Sequence, residues 1–134
     1  MSKAKLMQWS LRAGGLYFFM VAAAHMMGLK LPLLFVYYNV PSYAYQDRII
    51  SFLAFGWAVF LLSASDDPAG ERRLVRAVLV AGGGAVAGLV VINLTTDFAA
   101  LGPAILPRNF WLETVALLAY WLWLIACSRG LRKG

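Results

Sequence analysis

Polar residues are bunched along this chain, and four apolar stretches lie between the bunches, over residues 11–29, 49–65, 74–94 and 110–127. Each is close to the ~20 mostly apolar residues that a helix needs to cross ~30 Å of hydrocarbon. None alternates apolar and polar positions as a barrel strand does, and an open strand in lipid leaves its backbone groups without partners. The pattern predicts an all-α integral membrane protein: one domain over residues 1–134, folded as a four-helix up-down bundle. The first run continues to Leu29, past the small residues Ala22-Ala23-Ala24 that resemble a leader cleavage site, and is expected to be a retained span.

The interruptions carry turn chemistry. Asp66-Asp67-Pro68-Ala69-Gly70 is a turn, with Asp67 expected to cap the third helix and Pro68 at its first position. Asn109 is the expected cap of the fourth helix and Asp47 that of the second. The other two connections are unlike ordinary loops. Residues 31–46, LPLLFVYYNVPSYAYQ, hold Tyr37, Tyr38, Tyr43, Tyr45, Pro32 and Pro41 but no charge, and residues 98–107, FAALGPAILP, are equally apolar. Such segments suit either an interfacial belt at headgroup level or a cover over a cavity or a docking face. The third helix has small residues at helical spacing: Gly84 and Gly88 form a GxxxG pair, and Ala77, Ala81 and Ala85 repeat every four. In lipid this lets backbones approach closely, either inside the monomer or at a seam with a second copy or a larger subunit.

Composition excludes most alternatives. With 62% of residues apolar, 13% charged and a mean hydropathy of +0.72, a water-facing surface cannot be covered; soluble domains are about a quarter charged. One cysteine excludes a disulfide scaffold and paired-thiol redox chemistry. The net charge of +6 is first a topology signal. Lys3, Lys5, Arg12, Arg72, Arg73, Arg76, Arg129, Arg132 and Lys133 fall on one side of the four spans, and Lys30, Arg48 and Arg108 on the other. The positive-inside rule then places both termini and the middle loop in the cytoplasm, and the chain in the cell (inner) membrane. The basic residues are split over short flanks, so no nucleic-acid partner is expected; membrane lipids are.

Given that orientation, the uncommon polar groups lie at one level near the outer face. His25 sits about 6 Å before the outer end of its helix at 1.5 Å per residue. Asn93 and Asp97 share a face if the third helix continues that far, Glu113 lies one turn into the fourth helix, and Arg48 opens the second. Ionisable groups at membrane depth are functional-site candidates by default. His25, Asp97 and Glu113 can form a carboxylate–imidazole relay, with Asn93 as a neutral partner and Arg48, Lys30 or Arg108 as the cationic end of a site for an amphipathic ligand. The structural alternative is helix capping and dipole pairing for Glu113 and Lys30, with Asp97 and Arg108 in headgroup water.

Cofactor readings are bounded by counts. A haem held by two histidines within one chain is impossible with one His; Met20, Met26 and Met27 around His25 are packing residues before they are ligands. Bound lipid or quinone fits the apolar setting, and no metal site is assigned. The chain has no HExxH, P-loop, nucleophile elbow or dinucleotide fingerprint. The expected function is therefore non-catalytic: an accessory subunit of a larger membrane complex, or a lipid- or quinone-binding module with an outer-leaflet pocket. The alternative is an intramembrane enzyme that uses His25 with Asp97 or Glu113 for acid–base chemistry.

Overall fold

The structure is a computed structural model that describes residues 2–30, 40 and 43–131. The expectations for Pro32, Tyr37, Tyr38 and Pro41, and for the tail charges Arg132 and Lys133, lie outside the described residues. Among those described, the chain is all-helical: α1 Lys3–Met26, α2 Ala44–Asp66, α3 Arg72–Thr95, the single turn α4 Phe98–Leu101, and α5 Pro107–Ser128. Three of them, α2, α3 and α5, are long and apolar enough to cross a membrane. α1 is as long, but Lys3, Lys5, Arg12 and His25 dilute its hydropathy. The exterior is apolar, with Phe52, Val80, Leu94 and Leu112 all more than 65% exposed. This is the outside of a helical membrane protein, not of a domain that faces water.

Helix ends depart from the expected caps. α2 begins at Ala44, so Asp47 lies inside its first turn, where its N–H donates to Tyr43 O, and it does not cap. α5 begins at Pro107 with Pro in the first turn, which puts Asn109 inside the helix. α3 begins at Arg72, after Glu71; Asp67 instead closes the preceding turn, its Oδ1 accepting from Gly70 N at 2.9 Å. α1 stops at Met26, short of Leu29, because Gly28 takes φ +64°. There Gly28 N donates to His25 O and Leu29 N to Ala24 O, the paired bonds of a Schellman stop, which needs a residue free to enter the left-handed region. α3 ends at Thr95, so Asn93 and Asp97 do not share a helix.

α1 and α2 run antiparallel in the most extensive contact of the molecule, and α3 and α5 form a second pair; the pairs meet where α1 touches α5 and α2 touches α3. The first pair is close because its seam is small. α2 buries Ser51, Ala54, Ala58, Leu61 and Ser65 at alternating spacings of three and four, and α1 buries Gly14, Gly15 and Ala22. A Cβ on Gly15 would stand 2.7 Å from Leu62, and one on Gly14 would collide with the Tyr120 hydroxyl. Tyr120 donates instead to Ser10 O at 2.9 Å, tying α5 to α1. In the second pair, the Trp121 indole lies over Gly82 and Gly83, where an added Cβ would come within 3.0 Å of the ring. Its Nε1–H reaches Leu79 O at 2.7 Å. Gly84 and Gly88 make no helix contact within this chain, since a Cβ on either meets nothing within 4 Å, and a seam with a second copy or a larger subunit is the alternative that this leaves. Gly84 and Ala85 are exposed and Ala81 is half-buried.

The core is concentrated at one end. Met7, Leu11, Leu61, Ala64, Val75, Val78, Leu124, Cys127 and Leu131 form one buried cluster drawn from all four long helices. That end also gathers the start of α1, the turn between α2 and α3, and the end of α5; Gln8 Nε2 donates to Asp66 O across it. Toward the opposite end the described residues bury mainly smaller or polar groups, Ala24, Ser51, Asn93 and Thr114, beside Ile105 and Phe110.

Candidate functional site

The Schellman stop at Gly28 leaves His25 in the last turn of α1, and the antiparallel pairing sets the first turn of α2 against it. Asp47, displaced from the cap position, meets the imidazole there: His25 Nδ1 and Asp47 Oδ1 are 3.4 Å apart, with side chains 10% and 17% exposed. The carboxylate orients the ring. This pairing was missed at the sequence level because Asp47 already had a satisfactory explanation as a helix cap.

Below the pair lies a cavity of about 200 Å³ between α1, α2 and α5. Tyr17, Phe18, Val21 and His25 line it from α1, Ile50, Leu53, Ala54 and Trp57 from α2, and Glu113 and Leu117 from α5. The wall is thus an aromatic and aliphatic sleeve, with Phe18 stacked on Trp57 at 5.9 Å between centroids. Three side chains bring chemistry to it: the His25 imidazole, the half-buried Glu113 carboxyl and the Tyr17 hydroxyl. Because α5 starts at Pro107, Glu113 stands in its second turn. His25 and Glu113 therefore face one space from different helices.

The other sequence-derived candidates go elsewhere. Asp97 caps α4, its Oδ1 accepting from Ala99 N at 3.1 Å and Ala100 N at 3.3 Å. Asn93 is buried and donates through Nδ2 to Thr114 Oγ1 at 2.9 Å, fastening α3 to α5. Arg48 and Arg108 are exposed at the same end, and none of these four lines the cavity. Among the described residues no three His, Cys, Asp or Glu side chains gather to hold a metal ion. The arrangement offers a polar tip of donors and acceptors at one end of an apolar sleeve, which orients a molecule that is polar at one end only. Comparison with protein-family models, with curated proteins and with solved structures finds no match to this chain.

Proposed function

We propose that the protein is a small membrane module that holds the polar head of a lipid-soluble molecule, such as a quinone or a lipid, at the end of the bundle formed by His25, Asp47 and Glu113. In this reading all four long helices cross the bilayer in up-down order, with both termini on the cytoplasmic side of the cell membrane and the cavity in the outer leaflet. One observation carries it: His25 and Glu113, on separate helices, line one apolar cavity while Asp47 fixes the imidazole. About 200 Å³ is below the size of a site for a whole drug-sized ligand, so the cavity takes a headgroup and the tail lies in the bilayer. A quinone carbonyl would accept from the imidazolium form of His25, whose charge Asp47 balances, and a hydroxyl would donate to Glu113.

Titration of the purified protein with a short-chain benzoquinone tests this, because a bound quinone ring quenches Trp57. Saturable quenching is expected, lost in Trp57→Phe and weakened about tenfold in His25→Ala, as one hydrogen bond to a buried partner implies. Asp97→Asn should bind as the wild type does. Quenching that never saturates, or that is unchanged by His25→Ala, overturns the reading.

The His25–Asp47 pair also favours a second reading, acid–base catalysis on the same ligand. A carboxylate that orients an imidazole raises its capacity to take a proton from a substrate, and Glu113 would return one. Chemical change of a bound ligand over time, absent in His25→Ala, distinguishes an enzyme from a carrier.

A further inference from the structure

The α1–α2 pair has a second concave face, opposite the one that lines the cavity. One hollow on it is bounded by Arg12, Leu16, Val59, Leu62, Ser63, Ser65 and Asp66. Another follows along the same two helices, bounded by Phe19, Ala22, Ala23, Met26, Ser51, Phe52 and Phe55. The lining residues 12, 16, 19, 23 and 26 of α1 are spaced alternately by four and three, so they form one stripe along the helix. Residues 66, 62, 59, 55 and 52 form the matching stripe on α2, running the other way. The two hollows are therefore successive parts of one groove, bridged where Phe19 and Phe55 meet at 6.5 Å between ring centroids. From Arg12 to Met26 the groove runs about 21 Å at 1.5 Å per residue. This exceeds the ~15 Å depth of one hydrocarbon leaflet, half of ~30 Å.

Charge is confined to one end of this groove. Arg12 lies against the Trp9 ring, with its guanidinium carbon 5.6 Å from the ring centroid, and Trp9 is 59% exposed, as an interfacial anchor is. Asp66 ends α2 and is exposed. Gln8 Nε2 reaches Asp66 O, which sets the end of α2 beside the first turns of α1, and the Arg12 guanidinium, folded back over Trp9, lies at that same end. A carboxylate and a guanidinium, with Ser63, therefore share one end of the groove, and the remainder of its length is apolar but for the buried Ser51.

We propose that this groove is a binding site for a phospholipid with a primary amine headgroup, a phosphatidylethanolamine. The phosphate sits on Arg12, the ammonium donates to Asp66, and one acyl chain lies along Leu16, Val59, Phe19 and Phe55. The charge pattern separates this lipid from its competitors. An anionic headgroup meets the Asp66 carboxylate as a like charge, and a choline headgroup brings no N–H to donate. The site is independent of the cavity at His25 and stands whether or not that cavity holds a ligand.

The test is a competition in nanodiscs that contain phosphatidylethanolamine, phosphatidylcholine and phosphatidylglycerol with identical chains, read by native mass spectrometry of the released protein. Retention of phosphatidylethanolamine about fivefold above either competitor is expected, the size of one exposed charged contact. Asp66→Asn should abolish the preference over phosphatidylcholine while phospholipid is still retained. Arg12→Gln should lose retention altogether, and Glu71→Gln, on the neighbouring turn, should change nothing. Asp66 is exposed, so its variant is informative even if Arg12→Gln alters folding; circular dichroism checks both. Equal retention of the three lipids, a preference for phosphatidylglycerol, or a selectivity that survives Asp66→Asn overturns the proposal.

Discussion

Asn93 and Thr114 are a pair of polar side chains buried in an apolar molecule, each satisfied: Asn93 donates to Thr114 Oγ1, and that hydroxyl donates to Phe110 O at 2.9 Å. Removing one partner strands the other. Thr114→Val leaves the Asn93 amide buried without its acceptor and should lower stability by about 1–2 kcal/mol. The double variant Asn93→Leu/Thr114→Val should recover much of that loss, because interhelical hydrogen bonds in membrane proteins are worth only about 0.6–1.7 kcal/mol. A double-mutant cycle of unfolding in detergent measures this, and additive losses would show that the two side chains act separately. The same residues mark what the sequence could reveal at this scale. That His25, Asn93, Asp97 and Glu113 fall near one end of the molecule was legible from hydropathy alone. Which of them meet was not, because it depends on how each helix is rotated, and several rotations hide an equal amount of apolar surface in lipid.

At the scale of elements, the apolar runs located the four long helices but not their ends. Hydropathy marks where the chain is oily; a helix continues for as long as its backbone ladder does, and here it continues three to eight residues past the oil, into Ala44, Pro107 and Lys3. This is why Asp47 and Asn109 fell inside helices that they were expected to begin. The stop at Gly28 was available in the sequence, since a glycine one residue past an apolar run is a common left-handed terminator. For α3, the spacing of Gly84 and Gly88 pointed to a seam, while the contact is made by the consecutive pair Gly82 and Gly83 beneath Trp121. Spacing identifies a face that can be approached; the large partner that approaches it decides which face is used. Gly83→Leu should push the indole off Leu79 O and cost about 1–3 kcal/mol by overpacking. Gly84→Leu, which projects into open space, should leave thermal unfolding of the purified protein close to wild type. Equal loss in both variants would place the contact on the other face.

For the whole molecule, the charge asymmetry makes a topological statement that the fold makes checkable, because the start of α1 and the turn at Ala69 lie at one end and α4 at the other. In a Cys127→Ser background, cysteines introduced at Lys5 and Ala69 should be shielded from a membrane-impermeant maleimide added to intact cells. One at Ala100 should react. Labelling of Lys5→Cys and Ala100→Cys from the same side would refute the proposed threading. Cys127 itself is 5% exposed within the core, so it contributes little background.

The uneven distribution of that core has a mechanical outcome. Large side chains from all four long helices interlock around Met7 and Leu124, whereas at the far end the described residues bury mainly smaller or polar groups, Ala24, Ser51, Asn93 and Thr114, beside Ile105 and Phe110. Local opening takes the route with the fewest packed groups to separate. The molecule is accordingly clamped like a clothes-peg near Leu124, the end where separating the helices would cost most.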